Sequence, residues 1–93
     1  MEYKEIEGKE VLGKLAHLVG KVSGLEIDTT NWKVTHLVLD VEKKAVEDLG
    51  LKKPLIGSAK ATVPTEMIHA ISDRIILKNE SIDELKSVIK QKS

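Results

Sequence analysis

The stretch GKLAHLVGKVSGLEIDTTNWKVTHLVLDV, Gly13 to Val41, decides the fold. It contains two apolar-patterned runs joined by the polar turn Asp28-Thr29-Thr30-Asn31. Val22, Leu25 and Ile27 supply the apolar side of the first run. On the second, Leu37, Leu39 and Val41 alternate with His36, Val38 and Asp40, the period-2 signature of a half-buried strand. The spacing predicts a long β-hairpin that is the spine of the domain. Val22 and Leu25 have opposite parity, so a regular strand would turn one of them to the wrong face. A bulge at Ser23-Gly24 restores the pattern and adds twist. Twist of this kind lets a short sheet curl on itself, so the fold class expected is mainly β, a small and strongly curved barrel.

Working outward, Glu5 to Leu12 reads as a short first strand. After Val41, Glu42 to Leu49 places Ala45, Val46 and Leu49 on one helical face, and Gly50 is the expected stop. The loop from Lys52 to Ser58 is punctuated by Pro54 and Gly57. Lys60 to Val63 reads as a strand ended by Pro64. Thr65 to Ser72 offers Met67, Ile68 and Ile71 at helical spacing, and Asp73 to Lys78 reads as the last strand. Ser81 and Glu84 have the spacing of a capping box. They open a C-terminal helix with Ile82, Leu85, Val88 and Ile89 on one stripe. Such a short helix is marginal alone, so the stripe must dock on its own barrel or on a second subunit. The organisation expected is one domain over residues 1–93, with the barrel over about 5–78 and the helix over about 81–91.

Composition bounds the function. Ninety-three residues hold one core, built here from aliphatics, with one Trp, one Tyr, no Phe and no Cys. The absence of Cys excludes disulfides, thiolate metal sites and cysteine nucleophiles, and it fits a reducing, cytoplasmic setting. No apolar run approaches the ~18–20 residues of a membrane span, and MEYKEIEGKE is no signal peptide, so no direct membrane insertion is expected. Fifteen basic and fifteen acidic residues give zero net charge. That is too weak a footprint for nucleic acid to be the expected partner.

Motifs for catalysis are missing from the sequence. His17, His36 and His69 are far apart, with none of the short spacings of a metal site. No G-x-G-x-x-G, Walker A, H-E-x-x-H or G-x-S-x-G occurs. No enzyme activity, cofactor or metal is expected. Lys43-Lys44 and Lys52-Lys53 read as solvated faces. Asp28 reads as a turn residue hydrogen-bonding to its own backbone. Trp32 is either an interface anchor or a partly buried cover for one barrel end.

The order of these segments resembles the PRC-barrel family. The resemblance is carried by GKEV at Gly8–Val11, LVGKVSGLEID at Leu18–Asp28 and VTHLVLDV at Val34–Val41. The continuation PLIGSAKATVPTEMIHAISDRIILK is similar to the stand-alone archaeal branch. One departure is visible: Leu15-Ala16 stand where the family usually has Asp-Gly, and alanine tolerates left-handed geometry poorly. The resemblance implies a non-catalytic adaptor, a homodimer whose partner is SepF, the membrane anchor of the FtsZ ring, in an archaeal cell-division assembly. The alternative it implies is a ribosome- or RNA-associated factor similar to the barrel domain of the maturation factor RimM. The partner surfaces expected are the exposed face of the second hairpin strand, with Trp32, Val34, His36 and Val38, and the helix stripe, with Ile82, Leu85, Val88 and Ile89.

Overall fold

The hairpin is present, and the rest of the chain is built against it. The computed structural model describes residues 1–92. A single 3-10 turn, Tyr3–Glu5, precedes β1 (Glu10–Leu12), and β2 (Leu18–Asp28) and β3 (Lys33–Val41) follow. Then come α1 (Lys43–Asp48), β4 (Ala59–Pro64), a 3-10 turn (Thr65–Met67), β5 (Ile68–Ile71) and β6 (Ile75–Leu77). The described chain ends with α2 (Ile82–Val88) and β7 (Lys90–Gln91). The strands form one seven-stranded sheet in the order β5-β6-β1-β2-β3-β4-β7. Its pairs are antiparallel except β1 with β6.

The β2–β3 ladder carries the bulge that the apolar pattern requires. Val22 pairs with Leu39 and Gly24 with Val38, which leaves Ser23 as the extra residue. Val22 and Leu25 therefore both face the core, opposite Leu39 and Leu37. The strands also approach unusually closely at Gly20, where an added Cβ would lie 2.2 Å from the Asp40 carbonyl oxygen. Only glycine fits there. The core on the concave side is aliphatic, with Val11, Val19, Leu37, Leu39, Val63, Ile75, Leu77 and Leu85 fully or almost fully buried.

The sheet curls without closing. Among the described residues no ladder joins β5 to β7, so hydrogen bonds do not complete the expected barrel. Both edge strands are short, four and two residues. Thr65 instead pins the β4–β5 connection over β3, its hydroxyl 3.3 Å from the carbonyl oxygens of Val34 and Thr35.

Several boundaries differ from expectation, each for a local reason. Glu5–Gly8 is not strand: the 3-10 turn and the left-handed Gly8 (φ +80) delay β1 to Glu10. The helical spacing of Met67, Ile68 and Ile71 is only half realised. The turn stops at Met67, and Ile68–Ile71 pairs with β6. The C-terminal helix ends at Val88 rather than near residue 91. Ile89 is extended (φ −80, ψ 138), and Lys90 and Gln91 pair with Thr62 and Ala61. The capping box is half formed. Ser81 accepts from the Glu84 amide, while the Glu84 carboxylate accepts from Glu80, one residue before the cap. By contrast, α1 matches its expected face, with Ala45, Val46 and Leu49 buried and Gly50 left-handed at φ +68.

The turn at Leu15-Ala16 carries a backbone cost. Ala16 sits at φ +69, where an L-residue with a Cβ is strained by ~1–2 kcal/mol. Glycine at this position would remove that strain and give back about 0.5–1 kcal/mol through a freer unfolded chain. Ala16→Gly should therefore raise stability by about 0.5–1 kcal/mol, a Tm gain of several degrees in a domain this small. Gly20→Ala should act oppositely and cost about 2–3 kcal/mol, because the clashing atom is backbone. Thermal and denaturant unfolding of the two variants checks both signs.

Candidate protein-interaction surface

The far end of the hairpin is a hydrogen-bonded polar turn that carries one large apolar side chain, Trp32. Asp28 organises it: one carboxylate oxygen accepts from the Thr30 amide at 2.9 Å, the other from the Asn31 side-chain amide at 3.0 Å. These bonds favour the charged form and hold the Asp28 carboxyl below the usual carboxylate range, the Asn31 side chain contributing most. Trp32 follows in a left-handed conformation, φ +54, and the residue is 78% exposed. A bulky residue at positive φ is a true outlier. Here it holds an indole out into water.

A second bulge decides what is exposed near this end of the hairpin. Glu26 pairs with His36 but Ile27 pairs with Val34, which makes Thr35 an extra residue in β3. Without it, Val34 and His36 would share a face. With it, Val34 joins Ile27 on the core-facing side, beyond the end of the core, where the two are 42% and 53% exposed. Ile27 and Val34 thus form an exposed apolar pair near the tip, and Trp32 is exposed in the turn next to Lys33.

His36 lies on the opposite, outer face, beside a group of charged side chains. Its Nδ1 is 3.4 Å from one Glu26 carboxylate oxygen, and Lys92 Nζ is 3.5 Å from the other. Lys60 pairs with Asp40 on the neighbouring strands. Val38 occupies the floor between these pairs. It is buried, opposite Gly24 on one side and Thr62 on the other.

The helix stripe is likewise used internally. Leu85 is fully buried and Ile89 buried in the core, with Ile82 and Val88 packed half-exposed against it. Leu85 and Ile89 pack into the chain's own core. Of the eight expected partner residues, Trp32 and Val34 are exposed near one end of the hairpin, and His36 is half-buried on another face. The sequence pattern did not bring Ile27 opposite Val34, because the second bulge has no glycine to mark it.

Among the described residues, no group of three or more His, Asp or Glu side chains is arranged to hold a metal. The His17 ring lies instead over Gly13, where a Cβ would be 2.0 Å from Cε1. No helix is long and apolar enough to cross a membrane.

The model of the PRC-barrel domain matches residues 1–82. The chain belongs to the PRC-barrel family. In this PRC barrel the match runs through all of β1 to β6 and into the first residue of α2, so it covers the hairpin and its tip. No curated protein is significantly similar to the chain.

The lowered Asp28 value has a pH consequence. A carboxyl whose folded value is depressed adds stability that is fully present above its unfolded value. That contribution is lost as pH falls through the folded value. In an NMR titration Asp28 should protonate below the ordinary aspartate range, and Asn31→Ala should move its midpoint upward. An unchanged midpoint in the variant would remove Asn31 as the cause.

Proposed function

We propose that this PRC-barrel protein is a non-catalytic protein-interaction module that engages its partner through the hairpin tip. The supporting observation is the exposure of Trp32 together with the Ile27–Val34 pair near the same end of the hairpin. A tryptophan is held exposed at a strained backbone angle, on a turn stiffened by Asp28. Strain of this sort persists where the surrounding structure over-determines it, and it concentrates at binding sites. Nothing in the packing asks for Trp at this place. Tryptophan is among the residues in which binding hot spots are enriched.

The finer reading follows from the family resemblance. The module is a homodimeric adaptor in an archaeal cell-division assembly, and its partner is SepF. The zero net charge favours a protein partner over RNA.

Trp32→Gly is the informative variant, because glycine suits φ +54 and the fold should be at least as stable without the indole. In a pull-down with SepF, Trp32→Gly and Val34→Thr should each weaken capture. The Trp change should cost about 2 kcal/mol or more, roughly thirtyfold. Undiminished capture by folded variants would remove the tip as the contact. Wild-type protein that ignores SepF but retains RNA in a salt-sensitive manner would replace this reading with the ribosome-associated one. Light scattering of the intact chain should give a dimer mass, and a monomer would end the homodimer reading.

A further inference from the structure

The most exposed large apolar side chains are elsewhere. Leu55 and Ile56 stand fully in solvent on the loop between α1 and β4. Beside them opens a groove of about 340 Å³. Its floor is Val41 at the end of β3, Val46 of α1 and Ala59 at the start of β4, with Pro54 on one wall. Lys43 and Lys53 stand at its rim, and no carboxylate lines it.

This groove is built into the fold. The Gln91 side chain in β7 clamps the base of the loop, accepting from the Lys52 amide at 2.9 Å and donating to the Lys52 carbonyl at 2.8 Å. Gly57 turns the loop back at φ +79. The floor residues belong to the main core and are held in place by it.

Charge selects the occupant. Lys43 has no carboxylate partner among the described residues, and Lys53 has only an exposed contact with Glu47 at 3.2 Å, a weak pair that a ligand can exchange. A second copy presenting this same loop would bring its own Lys52 and Lys53 toward these lysines, a like-charge juxtaposition that disfavours self-association here. A segment with the opposite pattern, aliphatic side chains flanked by carboxylates, satisfies both floor and rim.

We propose that the groove between α1 and the 52–58 loop docks an acidic, aliphatic peptide segment of a partner protein. Its aliphatic side chains pack on the exposed Pro54 and on the narrow open edges of Val41, Val46 and Ala59, each no more than 5% exposed, and its carboxylates pair with Lys43 and Lys53. The site shares no residue with the hairpin tip and does not rest on that reading. The two lie at opposite ends of the nine-residue β3, roughly 25–30 Å apart at about 3.3 Å per residue. Both can be occupied at once, so the domain can bridge two partners.

The probes are two synthetic peptides: acetyl-ELDILE-amide, and its neutral counterpart with every Glu and Asp replaced by Gln and Asn. Each is titrated into the ¹⁵N-labelled intact chain. The acidic peptide should shift the amides of Val41, Val46 and Gly57–Ala59 saturably, with a Kd under about 1 mM. The neutral peptide should bind at least about tenfold more weakly, as should the acidic peptide to the Lys43→Glu/Lys53→Glu variant. Trp32→Gly should leave the titration unchanged, which separates this site from the hairpin tip. No shifts up to millimolar peptide, equal binding of the two peptides, or shifts confined to the hairpin tip would each overturn the proposal.

Discussion

At Gly20 the backbone of β2 comes so close to that of β3 that one added carbon would stand 2.2 Å from the Asp40 carbonyl oxygen. That approach anchors the longest ladder in the molecule, from Gly20–Val41 to Asp28–Lys33. The other strands are laid out from it. β1 adds to one side of β2 and carries β6 and β5, while β4 and β7 add to the other side of β3. Two bulges in the same ladder, at Ser23 and Thr35, increase its twist, and twist curls the flanking strands over one shared face. The aliphatic core is the inside of that curl. In a chain without phenylalanine or disulfides, close backbone packing and short aliphatic side chains must provide the density that larger groups supply elsewhere.

The bulges also separate structural from available residues. The bulge at Ser23 lets Val22 and Leu25 both enter the core, and it leaves Gly24 beside Val38 on the outer face, where Val38 becomes buried. The one at Thr35 turns Val34 to the core side at a point where no core remains, so it is exposed with Ile27. A single register device therefore closes one apolar surface and opens another. The outer face between them is laced with ion pairs around Glu26, Asp40, Lys60 and Lys92. These exposed pairs contribute little to stability, yet they keep that face polar beside unpaired strand edges.

Features with a strong local cause were legible in the sequence. The hairpin showed as alternation, and the bulge at Ser23 as a parity conflict beside a glycine. α1 showed as a periodic face closed by Gly50, and the strain at Ala16 as a residue unsuited to its turn. Features that depend on distant partners were not. Met67, Ile68 and Ile71 fit one helical face and also a short strand, and only pairing with β6 decides between them. Lys90 and Gln91 leave the helix because β4 has an open edge, which nothing in residues 81–92 announces. Val38 has the parity of an exposed residue and is buried by its neighbours across the ladder. The stripe of α2 was visible, but whether it faces the same chain was a question of tertiary geometry.

Small folds of this type spend most of their residues on staying folded, so side chains that packing does not explain carry the functional information. Leu37, Leu39, Val63 and Leu77 are accounted for by the core. Asp28 and Gly50 are accounted for by the turns they make. Trp32, Leu55 and Ile56 are not: each is apolar, exposed and placed where a polar residue would serve the fold at least as well. They sit on the two loops that flank opposite ends of β3, and each loop is stiffened at its base by side-chain hydrogen bonds, from Asp28 in one and Gln91 in the other. Rigid presentation lowers the entropy that an exposed apolar side chain must lose on binding, so stiffening matters more to recognition than to stability. The hairpin between them fixes the distance and orientation of the two loops, the geometry that the proposed bridging of two partners would use.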